Sequence, residues 1–228
     1  MTAFPTDTGP RVMPVRIAQA RARGIFVLAG VSSFPVLTAA VVRMLTKDMA
    51  RIDAVTGGIA PSPYANVGAN VIRAIASYGG KPVALMRDGR KATAYALIDS
   101  RRYTIAPPGG LPLHPLRFSL VDVPDLQVLP RLWPGLRSVW MGAGPVPAIL
   151  HRALSALAWL VRMRLLPSLS PFAGLMYRTI NVLSWGEHRG GMFVAVEGEG
   201  RDGERIERSW HLLAEGEDGP LIPSMAAE

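Results

Sequence analysis

Two Asp-Gly dipeptides do most to constrain this chain. Asp88-Gly89 separates the runs Pro82–Arg87 and Lys91–Leu97, and Asp202-Gly203 separates Met192–Glu199 from Glu204–Ala214. Asp-Gly accepts the left-handed conformations of a tight turn, so the apolar runs on either side are expected to pair as antiparallel hairpins. Further strands are expected at Ile52–Ile59, Arg102–Ile105, Leu116–Leu120 and Leu136–Met141. Elsewhere the apolar spacing is helical. Ile17–Arg23 ends a helix at Gly24 and leads into a short buried strand, Ile25–Ala29. Helices are expected from Pro35 to about Met49, then over Ala65–Tyr78, Val123–Leu132, Val146–Leu166 and Pro171–Trp185. Hairpins beside segregated helices predict an α+β fold, with a mixed, largely antiparallel sheet packed against several helices.

Composition narrows the class. The 228 residues are 49% hydrophobic and 18% charged, enough to bury a core and too apolar for wholesale disorder. With no cysteine, disulfides, thiolate metal sites and cysteine nucleophiles are excluded. The net charge is +8, and Lys47, Lys81 and Lys91 are the only lysines beside 22 arginines. That ratio fits a GC-rich bacterial genome. The arginines are scattered and no nucleic-acid-binding motif accompanies them, so no nucleic-acid partner is expected. Residues 1–15, proline-bearing and without an apolar block, read as a disordered start rather than a signal peptide, and a cytoplasmic location is expected.

One stretch matches the dinucleotide fingerprint literally: Gly198-x-Gly200-x-x-Gly203. The fingerprint works when a glycine turn feeds a helix whose N-terminus holds pyrophosphate. Here the residues that follow alternate like a strand, and Glu197, Glu199, Asp202 and Glu204 would repel a diphosphate. A hairpin is the expected reading. His114, His151, His188 and His211 occur singly, with no partner at metal-ligand spacing, and are expected to be ordinary core or surface residues. No catalytic residue and no metal ligand can be named. Ser32 and Ser33 sit where a helix cap belongs and would present backbone N–H groups to a carboxylate or phosphate. Asn70, Arg73 and Ser77 share a helical face just before Tyr78. That face is either solvated or carries an arginine aimed at a substrate carboxylate. Within Val146–Leu166, Arg152 and Arg162 enclose nine uninterrupted residues, too few to span a bilayer. A core or subunit-contact helix is expected there, and an interfacial membrane helix is the second reading.

Several blocks, in order, resemble saccharopine-dehydrogenase-like oxidoreductases. They are Gly30–Val42 (GVSSFPVLTAAVV), Gly58–Ser62 through Gly68, Val71–Pro82 (VIRAIASYGGKP), Asp122–Leu126 (DVPDL) and Ala214–Pro223 (AEGEDGPLIP). The resemblance runs from about residue 16 to the end. It implies a two-part enzyme, in which an N-terminal Rossmann domain binds NAD(P) and an α+β domain closes over a small-molecule substrate and mediates homodimer contacts. Residues 16–48 would then be the last αβ step of the nucleotide-binding domain, and 49–228 the substrate and dimerisation domain. The chain would be a truncated or excised portion of such a reductase, with no cofactor site of its own and inactive alone. The residues expected to contact substrate are Ser32, Ser33, Arg73 and Tyr78. The alternative is a non-enzymatic protein that self-associates, or contacts a membrane peripherally, through residues 146–185.

Overall fold

Strand β1, Met49–Ala60, occupies the middle of the molecule and is hydrogen-bonded along both sides. The structure is a computed structural model that describes residues 19–24, 32–65, 67–144, 148–182, 186–216 and 218–226. Before β1, the wide turn Ser33–Leu37 leads into helix α1, Thr38–Leu45, which buries Thr38, Val41 and Val42 on one stripe. The Thr46 hydroxyl donates to the Val42 carbonyl at 2.8 Å, and residues 46–48 turn into β1. The helix therefore stops at Leu45 instead of continuing to Met49.

After β1 come helix α2, Ala69–Tyr78, and the hairpin β2, Pro82–Arg87, with β3, Arg90–Tyr95. Helix α2 starts later than its periodicity suggested, because residues 63–65 form a turn closed by Ala65 N–H on the Ser62 carbonyl. Strand β4, Ser100–Tyr103, pairs antiparallel with β5, Leu116–Leu120, and lies two residues before its expected position. Their ladder closes at Tyr103 opposite Leu116, after which Ile105 turns fully into the core. Helix α3, Asp125–Leu132, leads to β6, Ser138–Ala143. Helices α4, Ala148–Arg162, and α5, Ala173–Val182, follow, with a 3₁₀ turn at Ser170–Phe172 between them. The chain then forms β7, Gly190–Gly200, β8, Arg205–Ala214, and a 3₁₀ segment, Gly219–Ala226.

Six strands make one sheet in the order β4-β5-β6-β1-β7-β8, and β2-β3 stand apart as a second, two-stranded sheet. Only the β1–β6 pair is parallel, and the rest is antiparallel. The α+β expectation and both hairpins hold. The segment Ile25–Ala29 lies outside the described residues, although Gly24 takes the left-handed φ of +61° that closes a helix. The principal core is shared by α1 and the sheet: Leu37, Val41 and Val42 pack with Val55, Phe118, Trp140, Phe193 and their neighbours. A second core lies among α2, α4 and α5, from Ile72, Ala76, Val161, Leu169, Ala173 and Met176.

At the centre, three aromatic rings close over β1. Tyr103 stacks on Phe193 at 3.6 Å between ring centres, and Phe118 meets Phe193 edge-on at 5.1 Å. Gly58 makes this possible, since a Cβ there would lie 2.5 Å from the Phe193 ring and 2.8 Å from that of Phe118. Both rings are fully buried and have no room to retreat. Gly58→Ala is expected to cost about 1–3 kcal/mol by overpacking, read as a lower urea midpoint with an unchanged slope.

Candidate functional site

Three of the blocks that carry the family resemblance, distant in sequence, bring side chains to the loop 121–125. Ser33 is buried, and its carbonyl accepts the Thr38 hydroxyl at 3.1 Å. Thr38 is fully buried, beside the Asp125 carboxyl at the start of α3. Three residues earlier, Asp122 approaches Tyr78 at the end of α2, where Tyr78 packs with Leu97, Val121 and Ala158. From the C-terminal side, Ile222 packs on the same core as Leu37 and Phe34.

Asp125 is the unusual member of this corner. It is 0% exposed, and neither carboxyl oxygen has a hydrogen-bond partner among the described residues, the Thr38 proton being directed to Ser33. Burial therefore pushes its pKa up to about 7. Its place in the first turn of α3 gives the anion some support from the helix dipole. Burial raises Tyr78 as well, with a smaller contribution from Asp122. Asp122 is itself raised by burial.

The predicted contact residues are distributed unevenly. Ser33 and Tyr78 lie on this corner. Ser32 occupies the cap position but its side chain makes no capping hydrogen bond. Arg73 is exposed on α2, where its guanidinium donates to Asn70 Oδ1 at 3.1 Å, as the shared helical face suggested. Ser77 donates to the Ala74 carbonyl within the same helix. The glycine triplet lies in the β7–β8 hairpin, with Gly203 at φ +82° in its turn, so the fingerprint match is not a strand-to-helix cradle.

Sequence reasoning missed a second buried polar pair. His151, only 3% exposed on α4, lies 2.6 Å from the Ser119 hydroxyl of β5 through Nε2. Burial lowers its pKa to about 4, helped by the nearby Arg117 cation, while a backbone hydrogen bond with Arg117 opposes the shift. A neutral ring that donates to the Arg117 backbone leaves Nε2 to accept the serine proton. The pair resembles a nucleophile and its base, but Ser119 is only 1% exposed. It ties α4 to the sheet. Two of the other histidines are also structural, His188 stacking on Tyr64 at 3.7 Å and His211 Nδ1 accepting the Ala106 N–H, while His114 is exposed.

Two open clefts flank the tip of the β7–β8 hairpin. One, of about 720 Å³, is lined by Met44, Lys47, Asp48, Gly200, Arg201, Asp202 and Ile206. The other, of about 410 Å³, includes Arg51, Asp53, Arg137, Glu197, Glu199 and Arg205. Its arginines are largely neutralised: Arg51 pairs with Asp53 and Glu199, and Arg205 with Glu197. Neither cleft is lined by Ser32, Ser33, Arg73 or Tyr78. Among the described residues, no group of three or more His, Asp or Glu side chains could hold a metal ion.

No family model matches the sequence, and no curated protein matches it significantly. Among solved structures, the chain is similar to apo histidine-tagged saccharopine dehydrogenase (L-Glu forming) from Saccharomyces cerevisiae, at 12% identity and a TM-score of 0.47. The similarity covers 84% of this chain and 61% of that one, so the chain spans less than two thirds of that enzyme's length. It is a distant likeness of fold.

The two buried groups act on stability with opposite signs. Asp125 binds its proton more tightly folded than unfolded, so its contribution falls as pH rises from 3.8 to about 7. His151 binds its proton less tightly folded, so its contribution is complete above 6.5 and is lost as pH falls toward about 4. By linkage the full effects are roughly 4 and roughly 3 kcal/mol, and they largely cancel between about pH 4 and 6.5. Urea denaturation at pH 4, 5.5 and 7 should show Asp125→Asn gaining on the parent as pH rises. His151→Gln should lose its relative advantage over the same series.

Proposed function

We propose that this chain forms the substrate-binding and dimerisation part of a saccharopine-dehydrogenase-like, NAD(P)-dependent oxidoreductase, inactive until a nucleotide-binding unit is supplied. The observation that carries the reading is the meeting of three family-like blocks at one corner. Ser33 and Thr38 come from the first block, Tyr78 from a middle one, and Asp122 and Asp125 from the next. Blocks shared for reasons of composition alone would have no cause to converge. A common arrangement of α1, α2 and α3 gives them one.

In this reading the buried Asp125 corner fixes the entry to α1, and the groups facing solvent do the binding. Ser32 and its backbone hold a polar group of the substrate, Arg73 pairs with a carboxylate in the bidentate manner its guanidinium favours, and Tyr78 lines the apolar side. Hydride transfer belongs to the nicotinamide, and a chain of this kind contributes positioning. The literal glycine fingerprint does not supply a cradle, because it turns a hairpin.

The test is a titration of the purified full chain with NADH and NADPH, followed by cofactor fluorescence. The reading expects no saturable change, no hydride transfer by the chain alone, and a dimer in sedimentation velocity. Saturable binding of either cofactor would show a nucleotide site in this chain and defeat the division of labour proposed. A panel of small amino-dicarboxylic acids, followed by ligand-observed NMR, reads the binding role. Arg73→Gln should weaken any hit about tenfold, as loss of a charge-assisted pair does.

A further inference from the structure

Helix α4 is apolar on both faces. Its inner face presents His151, Ala158 and Val161 to the fold. Its outer stripe should be polar if the helix simply faces water. Instead Ile149, Ala153, Ala156, Trp159 and Met163 recur at the helical period and are all exposed, with Ile149 60%, Trp159 44% and Met163 53% accessible. Helix α5 repeats the pattern: Leu175 and Val182 are 65% and 76% exposed, one helical face apart from the buried Ala173 and Met176. Both helices contribute to one small core with α2, and their exposed apolar residues lie away from it.

The charge of these helices is as one-sided as their apolarity. Residues 126–186 contain no Asp or Glu, while Arg152, Arg162, Arg164 and Arg178 are exposed on or beside α4 and α5. Residues 54–87, which include α2, also contain no acidic residue. Arg162 lies over the Trp159 ring at 4.7 Å, which places a cation at the edge of the apolar stripe. A second copy of this chain is a poor occupant, because it would set these arginines against their equals with no carboxylate in the patch to pair them. Arginine, an exposed tryptophan and aliphatic side chains together match the boundary between lipid headgroups and acyl chains. No described helix is long and apolar enough to cross a membrane, so the contact would lie in the interfacial plane.

We infer that the outer face of α4 and α5 docks on an anionic lipid surface, Ile149, Trp159, Leu175 and Val182 entering the headgroup region and the arginines pairing with lipid phosphates. The inference is independent of the reductase reading, since it rests on the helices alone. It is tested by flotation of the purified full chain with vesicles rich in phosphatidylglycerol, against vesicles of phosphatidylcholine alone. Binding to the anionic vesicles should be at least about tenfold stronger, and should weaken with salt. It should bring a blue shift in tryptophan emission that Trp159→Phe removes. Arg164→Glu with Arg178→Glu should lower anionic binding by about tenfold or more, each charge contributing roughly fivefold. Leu175→Ser with Val182→Ser should lower it without changing the salt dependence. These side chains are exposed, so the thermal melt of each variant should match the parent. Failure to float with either vesicle, or equal flotation with both, would overturn the inference. So would a dimer in solution that Leu175→Ser with Val182→Ser dissociates, because a second copy would then cover the face.

Discussion

Everything in the sheet depends on how closely its neighbours approach β1. This strand pairs parallel with β6 through Ala54–Ile59 and antiparallel with β7 along nearly its whole length. Its backbone polar groups are thus committed on both edges, and its faces must be filled by side chains from elsewhere. Gly58 supplies no side chain on one face, and Phe118 and Phe193 close that gap from β5 and β7. The parallel β1–β6 pairing needs a long crossover, and the intervening chain supplies α2, the small hairpin, β4, β5 and α3. The family-like blocks lie mostly at the ends of that crossover.

The polarity of the molecule is inverted in two places. Inside, Asp125 and His151 are shut away from water, each near a hydroxyl, and each is driven by burial toward its neutral form. Outside, α4 and α5 present aliphatic and aromatic groups to the surroundings. Ionisable groups inside and apolar groups outside both cost free energy in an isolated soluble domain. In the first case neutral protonation reduces that cost, and in the second a covering surface would.

Much of the fold could be read from local chemistry. Asp-Gly fixed both hairpins, because Gly89 and Gly203 adopt φ of +77° and +82° at their turns. Strand β5 was legible to the residue, and the helices to within a few positions. Two boundaries moved for local reasons, Thr46 bonding back to Val42 and Ser62 holding a turn ahead of α2, and one for a tertiary reason, Ile105 being drawn from its strand into the core. The corner around Asp125 was legible only as sequence blocks, with no sign that Thr38 and Asp125 would lie together. The Ser119–His151 pair was not legible at all, since their 32-residue separation carries no periodic signal. Ser32, Ser33, Arg73 and Tyr78 came from residue type and resemblance, and the structure gathers only Ser33 and Tyr78 at the corner.

The guanidinium of Arg162, the last residue of α4, lies 4.1 Å from the ring centre of Tyr95 as well as over Trp159. Tyr95 ends β3, so one planar cation is clasped between the helical layer and the small hairpin. The far end of that hairpin is held in turn by the Gly89 N–H on the Arg137 carbonyl, just before β6. A mechanical path therefore runs from the exposed Trp159, through a stacked arginine and a two-stranded lever, to the strand beside β1. Tilting of α4 would have to break that clasp or swing the lever with it.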